Sequence, residues 1–167
     1  LAVDSSLYLS DFRAGVAGGE ILELQNPGYA TRGANVLQPG ALLNFEIVGP
    51  LLYSDGNDWR PAESEAYLQL LRPLFEEHSV VVTGESASQA GFPLARADDE
   101  GTLHEHIRFR LGNQEEGPPP DGVYAVQQVL TSLGFVNSAP YMLIFNHGAE
   151  TPDFIQSVVA ARQLIAD

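Results

Sequence analysis

Gly101-Thr-Leu-His-Glu-His-Ile-Arg-Phe-Arg-Leu111 is the stretch from which the rest of the chain can be interpreted. Its residues alternate in character, and a period of two is typical of a β-strand whose side chains fall on opposite faces. On such a strand His104 and His106 point the same way, about 7 Å apart, while Glu105 points the other way. The stretch therefore predicts a strand with two imidazoles on one face.

Two imidazoles at this spacing can converge on one metal ion, with nitrogen–metal distances of about 2.0–2.1 Å. Zn²⁺ suits neutral imidazole, and Cu²⁺ binds the same ligands more strongly where it is available. The alternative is that both histidines simply occupy a half-exposed strand, because periodicity alone predicts a strand and not a ligand site. Glu105, on the opposite face, is not expected to coordinate the ion.

The composition predicts one folded domain over residues 1–167, because this length fills one core and is short for two. Hydrophobic residues make up 44% of the chain. Twenty-two acidic residues face eight arginines and no lysine, which gives a net charge of −14. The electric field of a protein with this negative charge repels nucleic acid and anionic membranes and attracts cations. No apolar run approaches the ~18 residues of a membrane-spanning helix, so neither a nucleic-acid partner nor membrane insertion is expected.

Cysteine is absent, which excludes thiolate metal sites, disulfides and cysteine nucleophiles. Any tight metal site must then use histidine, carboxylate, water or backbone oxygen. The chain begins at Leu1 instead of Met, which is typical of a processed or trimmed chain. We expect that a secretory signal peptide has been removed and that the protein is periplasmic or extracellular.

Short alternating segments separated by turn residues predict a mainly β fold, an antiparallel β-sandwich with one internal and one C-terminal helix. A glycine-rich turn suggests that the first two strands form a hairpin. The stretch 84–101 is long and polar and predicts a mobile excursion at the rim of the fold. The predicted strands cover residues 7–12, 20–25, 41–48, 79–83, the histidine strand, 123–132 and 141–146.

Residues 61–78 predict the internal helix, because proline and acidic residues occupy its first turn. His78 falls at its C-terminus, where a histidine cap is the first interpretation and a metal ligand the second. Residues 153–166 predict the terminal helix. The apolar stripe of the internal helix consists of Tyr67, Leu70, Leu71, Leu74 and Phe75, at helical spacing.

His147 directly follows the strand 141–146, one hairpin after the histidine strand. Because consecutive strands are usually spatial neighbours, His104, His106 and His147 could close a three-histidine site. Water, His78 or a carboxylate would fill the fourth position. The alternative is an exposed loop histidine. Ser54-Asp-Gly-Asn-Asp58 resembles a calcium-loop fragment but lacks the later ligands, so a solvent-exposed turn is favoured.

A resemblance to a known family covers residues 101–150. Leu103-His-Glu-His-Ile-Arg-Phe-Arg-Leu111, Pro119-Pro-Asp-Gly-Val-Tyr124 and Ala139-Pro-Tyr-Met-Leu-Ile-Phe-Asn146 resemble secreted bacterial proteins, including cyanobacterial ones, linked to zinc homeostasis. A weaker similarity connects them to actinobacterial surface-anchored domains. The resemblance implies a periplasmic or extracellular β-sandwich that holds a metal ion with His104 and His106. His147 has no counterpart in the family pattern, so its role depends on geometry.

The leading hypothesis is a metal-binding protein that stores, buffers or delivers Zn²⁺ or Cu²⁺, with a metal transporter or recipient protein as a further partner. An alternative is a hydrolase or hydratase that uses zinc-bound hydroxide. A third is a non-catalytic adhesion or scaffold module. The chain has neither a Gly-x-Ser-x-Gly elbow nor a phosphate-binding Gly-x-x-x-x-Gly-Lys, so those catalytic classes are not indicated.

Overall fold

The computed structural model describes residues 1, 7–12, 22–24, 28–33, 36–63, 65–72, 75–115 and 118–166. Over these residues the chain forms a series of short and long strands followed by one helix. In chain order the elements are β1 (Leu7–Asp11), β2 (Leu22–Leu24), β3 (Gly28–Ala30), β4 (Leu42–Ser54), β5 (Arg60–Pro61), β6 (Ala66–Arg72), β7 (Phe75–Thr83), β8 (Gln89–Arg96), β9 (His104–His106), β10 (Arg108–Asn113), β11 (Gly122–Thr131), β12 (Tyr141–His147) and α1 (Thr151–Ala166).

The strands form three sheets. The largest has six strands in the order β1-β12-β11-β4-β5, with β8 also paired to β4. The second has the order β2-β10-β6-β7, and β3 pairs with β9 in a separate two-stranded ribbon. Among the described strands every pair is antiparallel except β1, which runs parallel to β12. The predicted mainly β fold is confirmed, and the edge strand β1 of the six-stranded sheet is paired in parallel.

The two larger sheets face each other across a shared core, which makes the fold a sandwich. Phe145 of β12 and Phe109 of β10 are fully buried, and their ring centroids lie 5.1 Å apart. Phe12 packs on the same Phe145 ring at 5.4 Å. Since β12 belongs to the six-stranded sheet and β10 to the four-stranded one, these aromatic contacts join the two layers.

The C-terminal helix α1 covers the other face of the six-stranded sheet, so the predicted terminal helix is confirmed. Trp59 donates its indole N–H to the Ser157 carbonyl at 2.9 Å, and the Ser54 and Ser157 hydroxyls lie 2.8 Å apart. Strands β11 and β12 are thus buried on both faces, which explains their nearly continuous apolar sequences. No helix in the described part of the chain is long and apolar enough to cross a membrane.

The predicted internal helix over 61–78 is wrong, because most of the described residues in this range belong to β6 and β7, which pair with each other. Burial along β6 has a period of two, with Leu68 and Leu70 fully buried and Tyr67 and Gln69 partly exposed. The apolar residues fit both periods in the sequence. Pairing of β6 with β10 on one side and β7 on the other favours the strand, because tertiary pairing overrides local propensity.

Three further predictions are corrected by the sheet pairing. The first two strands do not form a hairpin, because β1 and β2 belong to different sheets; residues 13–21 between them lie outside the described part. The polar excursion 84–101 contains β8, whose Phe92 and Leu94 are buried. Strand β4 continues past 48 to Ser54: Gly49 adopts φ +76°, and the extra residues between Val48 and Leu52 form an irregularity in β4 opposite Ala125 and Gln127.

Replacing Leu68 with alanine distinguishes the strand from the helix. Leu68 lies outside the predicted helical stripe, yet it is fully buried in β6. We expect Leu68→Ala to lower the free energy of unfolding by about 2–5 kcal/mol, the range for a buried leucine truncated to alanine. Urea denaturation measures this change. The neighbouring Gln69→Ala is the control and is expected to cost less than about 1 kcal/mol; equal losses would contradict the period-two burial.

Candidate metal site

The predicted histidine strand is divided between two sheets. Strand β9 carries His104 and His106 and pairs with β3, whereas β10 joins the four-stranded sheet. Ile107 lies between β9 and β10 and is fully buried in the sandwich core. The buried isoleucine therefore marks the point where the chain passes from the ribbon to the sandwich, and the histidines lie on the ribbon.

The partner strand places only small residues beside the histidines. Gly28 pairs with His106 and Ala30 with His104, while Tyr29 pairs with Glu105. Directly opposed residues in an antiparallel ribbon project to the same face. The imidazole face therefore receives no bulky side chain from β3. His104 is exposed and His106 is half-buried, so the imidazole face opens to solvent.

The two imidazole rings converge. Their Nε2 atoms lie 2.9 Å apart and their ring centroids 4.9 Å apart, with the ring planes inclined at 56°. At this distance one Nε2 donates a proton and the other accepts it, which requires opposite tautomers in the neutral pair. One N–H and one lone pair are thus directed at the same space. If the donor ring changes to the tautomer protonated at Nδ1, both Nε2 lone pairs face that space and could bind a metal ion without loss of a proton from either neutral ring.

The separation of the Nε2 atoms suits neighbouring ligands of one transition-metal ion. With nitrogen–metal distances of about 2.0–2.1 Å, ligands at right angles are about 2.9 Å apart and tetrahedral ligands about 3.3–3.4 Å apart. The observed 2.9 Å corresponds to the right-angled arrangement typical of Cu²⁺. Tetrahedral Zn²⁺ requires the rings to separate by about 0.4 Å, a small rotation for an exposed side chain. The residues therefore fit either ion.

His147 does not join this pair. Its Nε2 lies 3.2 Å from the Pro119 carbonyl oxygen and 3.5 Å from an Asp121 carboxylate oxygen. Within the described ranges, no three histidine or carboxylate side chains are close enough to hold a metal ion. In the described residues His147 is therefore not grouped with His104 and His106, and its role as a third ligand remains a prediction.

The topology explains why His147 lies elsewhere. The prediction assumed that the histidine strand and β12 are neighbours, but β12 lies between β1 and β11. The ribbon contacts β12 near Tyr141, through the hydroxyl of Tyr29. His147 is six residues further along that strand, or about 20 Å at the usual rise. His78 lies on β7 instead of capping a helix, and its side chain falls outside what the structure describes.

A turn built around Asp98 leads into the histidine strand. One carboxylate oxygen of Asp98 accepts the backbone N–H groups of Glu100 and Thr102 at 3.0 and 2.8 Å, and the other accepts the Thr102 hydroxyl. The Thr102 hydroxyl, followed by the backbone bonds, lowers the pKa of Asp98 below its ordinary value. The ionised carboxylate therefore holds the turn two residues before His104.

This turn predicts a pH-dependent contribution to stability. Because the pKa is lowered on folding, the contribution is complete above the ordinary carboxylate pKa and is lost as the pH falls through the lowered value. We expect the difference in urea midpoint between wild type and Asp98→Ala to be constant from neutral pH to about 5 and to shrink below about 4. An equal difference for Asp99→Ala, a carboxylate in the same turn, would contradict the role of Asp98.

The segment that resembles a calcium loop forms a turn. Asp55 accepts the backbone N–H and the side-chain amide of Asn57 at 3.4 and 3.2 Å, and Arg60 lies 3.4 Å from its second oxygen. The Asn57 bonds are the main cause of the lowered pKa of Asp55. This carboxylate is engaged within its own turn, as the turn interpretation predicts.

Three polar side chains that connect the ribbon to the six-stranded sheet were not selected from the sequence: Tyr29 of the ribbon is partly buried, and Gln128 and Tyr141 are buried. The hydroxyls of Tyr29 and Tyr141 both donate to the Gln128 side-chain oxygen, at 2.6 and 2.8 Å. Burial raises the pKa of both tyrosines, so both stay protonated donors at neutral pH. A sequence signal existed, because Gln127 and Gln128 interrupt an otherwise apolar run, and the one that faces the core needs hydrogen-bond partners.

The comparisons with known proteins assign no family to the chain. No protein-family model matches the chain, and no curated protein matches it. Among solved structures, a family 123 glycoside hydrolase from Clostridium perfringens, described for glycolipid glycan hydrolysis, is similar over 87% of this chain, with 9% identity and a TM-score of 0.35. The chain spans 23% of that protein. A likeness this weak supports no functional argument.

Proposed function

We propose that this protein binds one transition-metal ion, Zn²⁺ or Cu²⁺, through His104 and His106, and stores, buffers or delivers it. The observation that supports this most directly is the convergence of the two Nε2 atoms at 2.9 Å on an exposed face. The same convergence that forms the hydrogen bond between the two rings places both nitrogens within reach of one ion. The resemblance to zinc-homeostasis proteins over residues 101–150 supports the same proposal.

Exchange of the ion suits this arrangement better than catalysis. Catalytic zinc sites use three protein ligands in an enclosed cavity. Here two imidazoles act from an exposed ribbon, and water or a recipient's ligands complete the coordination shell. An ion held in this way remains accessible, so a recipient protein or transporter can take it by supplying further donors. We therefore propose buffering or delivery and not hydrolysis.

The charge of the chain supports the capture of cations. Its net charge of −14 raises the local concentration of divalent ions near the surface. Absence of cysteine suits an oxidising compartment, because no thiol can be oxidised by a bound copper ion. We propose a periplasmic or extracellular location on these grounds.

Isothermal titration of the full chain with Zn²⁺ and with Cu²⁺ tests the proposal. We expect about one equivalent of ion to bind at pH 7.5, and weaker binding at pH 5.5, because protons compete for imidazole nitrogen. Cu²⁺ is expected to bind more tightly than Zn²⁺, as the order of divalent affinities requires. Absence of binding by either ion at neutral pH would reject the proposal.

A further inference from the structure

We propose that Tyr29 is a positioning residue for the histidine pair, acting through its hydrogen bond to Gln128. This inference depends on the proposed metal-binding function, because it assigns to Tyr29 the task of holding the ribbon in the conformation that binds the ion. The pairing of Tyr29 with Glu105 directs its side chain away from the imidazole face. Tyr29 therefore does not contact the ion.

The ribbon needs an anchor outside itself. Strands β3 and β9 have three residues each, and a two-stranded unit is not independently stable in water. Beside the ribbon, Thr31 donates its N–H to the Leu103 carbonyl at 3.0 Å, and Leu103 donates to the Thr31 hydroxyl at 3.2 Å. These bonds extend the pairing of the two strands. They do not connect the ribbon to the six-stranded sheet.

The Tyr29 hydroxyl supplies such a connection. It donates to the Gln128 side-chain oxygen at 2.6 Å, a short bond for two neutral groups. Gln128 is fully buried on β11, where it is paired with β12 on one side and β4 on the other. The ribbon is thus bonded to a central strand of the large sheet.

The acceptor is itself fixed in place. Tyr141 donates to the same Gln128 oxygen at 2.8 Å, and its ring packs edge-to-face on Tyr8 with centroids 5.6 Å apart. In the described structure the Gln128 amide nitrogen is buried without a hydrogen-bond partner. An unsatisfied buried N–H destabilises the position of the Gln128 side chain. The two hydrogen bonds to its carbonyl oxygen offset this loss and hold the side chain in place.

The anchor determines how often the two imidazoles are correctly placed. Without the Tyr29 bond the ribbon spends less time in the conformation in which both Nε2 atoms converge. The apparent metal affinity falls in proportion to that population. The ring of Tyr29 and the rest of the core remain in Tyr29→Phe. Loss of one neutral hydrogen bond is expected to weaken binding about three- to tenfold.

Copper binding by Tyr29→Phe and Tyr141→Phe tests the inference. Both variants remove one hydroxyl that donates to the same Gln128 oxygen, but only Tyr29 belongs to the ribbon. Competition with a chelator measures affinity, and pulsed electron paramagnetic resonance counts the coordinated imidazoles. We expect Tyr29→Phe to bind about three- to tenfold more weakly and to show a mixture of one- and two-imidazole species. Tyr141→Phe is expected to keep two imidazoles and to lose less affinity than Tyr29→Phe, because the bond between Tyr29 and Gln128 remains.

The outcomes separate positioning from general loosening. Wild-type affinity and two imidazoles in Tyr29→Phe would overturn the inference while leaving the proposed function intact. An equal loss in both variants would also overturn it, because a shared effect indicates loosening of the core. Wild-type protein that binds no copper would overturn the proposed function and this role together.

A second measurement decides the matter if Tyr29→Phe does not fold. Amide hydrogen exchange at Thr31 and Leu103 reports on the ribbon in the wild-type chain. Because binding and ribbon order are coupled in this proposal, Zn²⁺ is expected to slow exchange at both amides. Unchanged exchange at saturating Zn²⁺ would overturn the coupling.

Discussion

Replacing both His104 and His106 with alanine is expected to weaken Zn²⁺ and Cu²⁺ binding more than about 100-fold. Changing even the residues that orient metal ligands typically costs about 10- to 100-fold, and this variant removes the ligands themselves. The imidazoles lie on the open face of the ribbon, so we expect the free energy of unfolding of the double variant to be within about 0.5 kcal/mol of the wild-type value. Isothermal titration and urea denaturation measure the two quantities on the same preparation.

His147→Ala is the matched control for this double variant. His147 is also a strand residue, and it contacts Pro119 and Asp121 instead of the histidine pair. We expect it to bind metal like the wild type. If His147→Ala lost binding and the double variant kept it, the proposed site would be in the wrong place. The single variants complete the test, because each leaves one imidazole and is expected to bind only weakly.

Truncating Phe145 to alanine is expected to cost about 3–5 kcal/mol of unfolding free energy, the range for a buried phenylalanine. Phe145 is fully buried and contacts Phe12 at 5.4 Å and Phe109 at 5.1 Å. Since Phe109 belongs to the opposite sheet, the cavity would open at the contact between the two layers of the sandwich. Domains are stable by only about 5–15 kcal/mol, so the variant is expected to be close to unfolding at 37 °C.

Leu133→Ala is the control for the core prediction. Leu133 is 99% exposed in the connection between β11 and β12, so its truncation creates no cavity. We expect a change within about 0.5 kcal/mol. A loss of less than about 1 kcal/mol in Phe145→Ala would contradict the packing of the two sheets against each other. Chemical denaturation followed by tryptophan fluorescence is suitable, because Trp59 contacts the helix.

The strands that the sequence predicted well are those in which every local signal agrees. The apolar segments 123–132 and 141–146 contain β-branched and aromatic residues and are bounded by turns, and both are central strands. The terminal helix has proline in its first turn and a clear apolar stripe. The apolar residues of 61–78 fit a period of 2 as well as one of 3.6. Only the pairing of β6 with β7 and β10 decides that the segment is a strand and not a helix.

Only the local part of the candidate site, the pair His104 and His106, could be predicted from the sequence. Alternation along residues 101–111 placed His104 and His106 on one face, and the structure brings their Nε2 atoms together. The position of His147 depended on which strands are neighbours, and this is a long-range property. The role of Tyr29 was equally hidden, because its partner Gln128 is 99 residues away in the chain.

Nitrogen-15 spectra of the histidine side chains during a Zn²⁺ titration at pH 7.5 test the central claim most directly. Single histidine variants assign each ring, and His78 and His147 are followed in the same spectra. The account predicts that the Nε2 signals of His104 and His106 change together and saturate near one equivalent, while the ring of His147 is unaffected. A Zn²⁺-dependent change at His147 before the pair responds, or one ring of the pair unchanged at saturation, would contradict it.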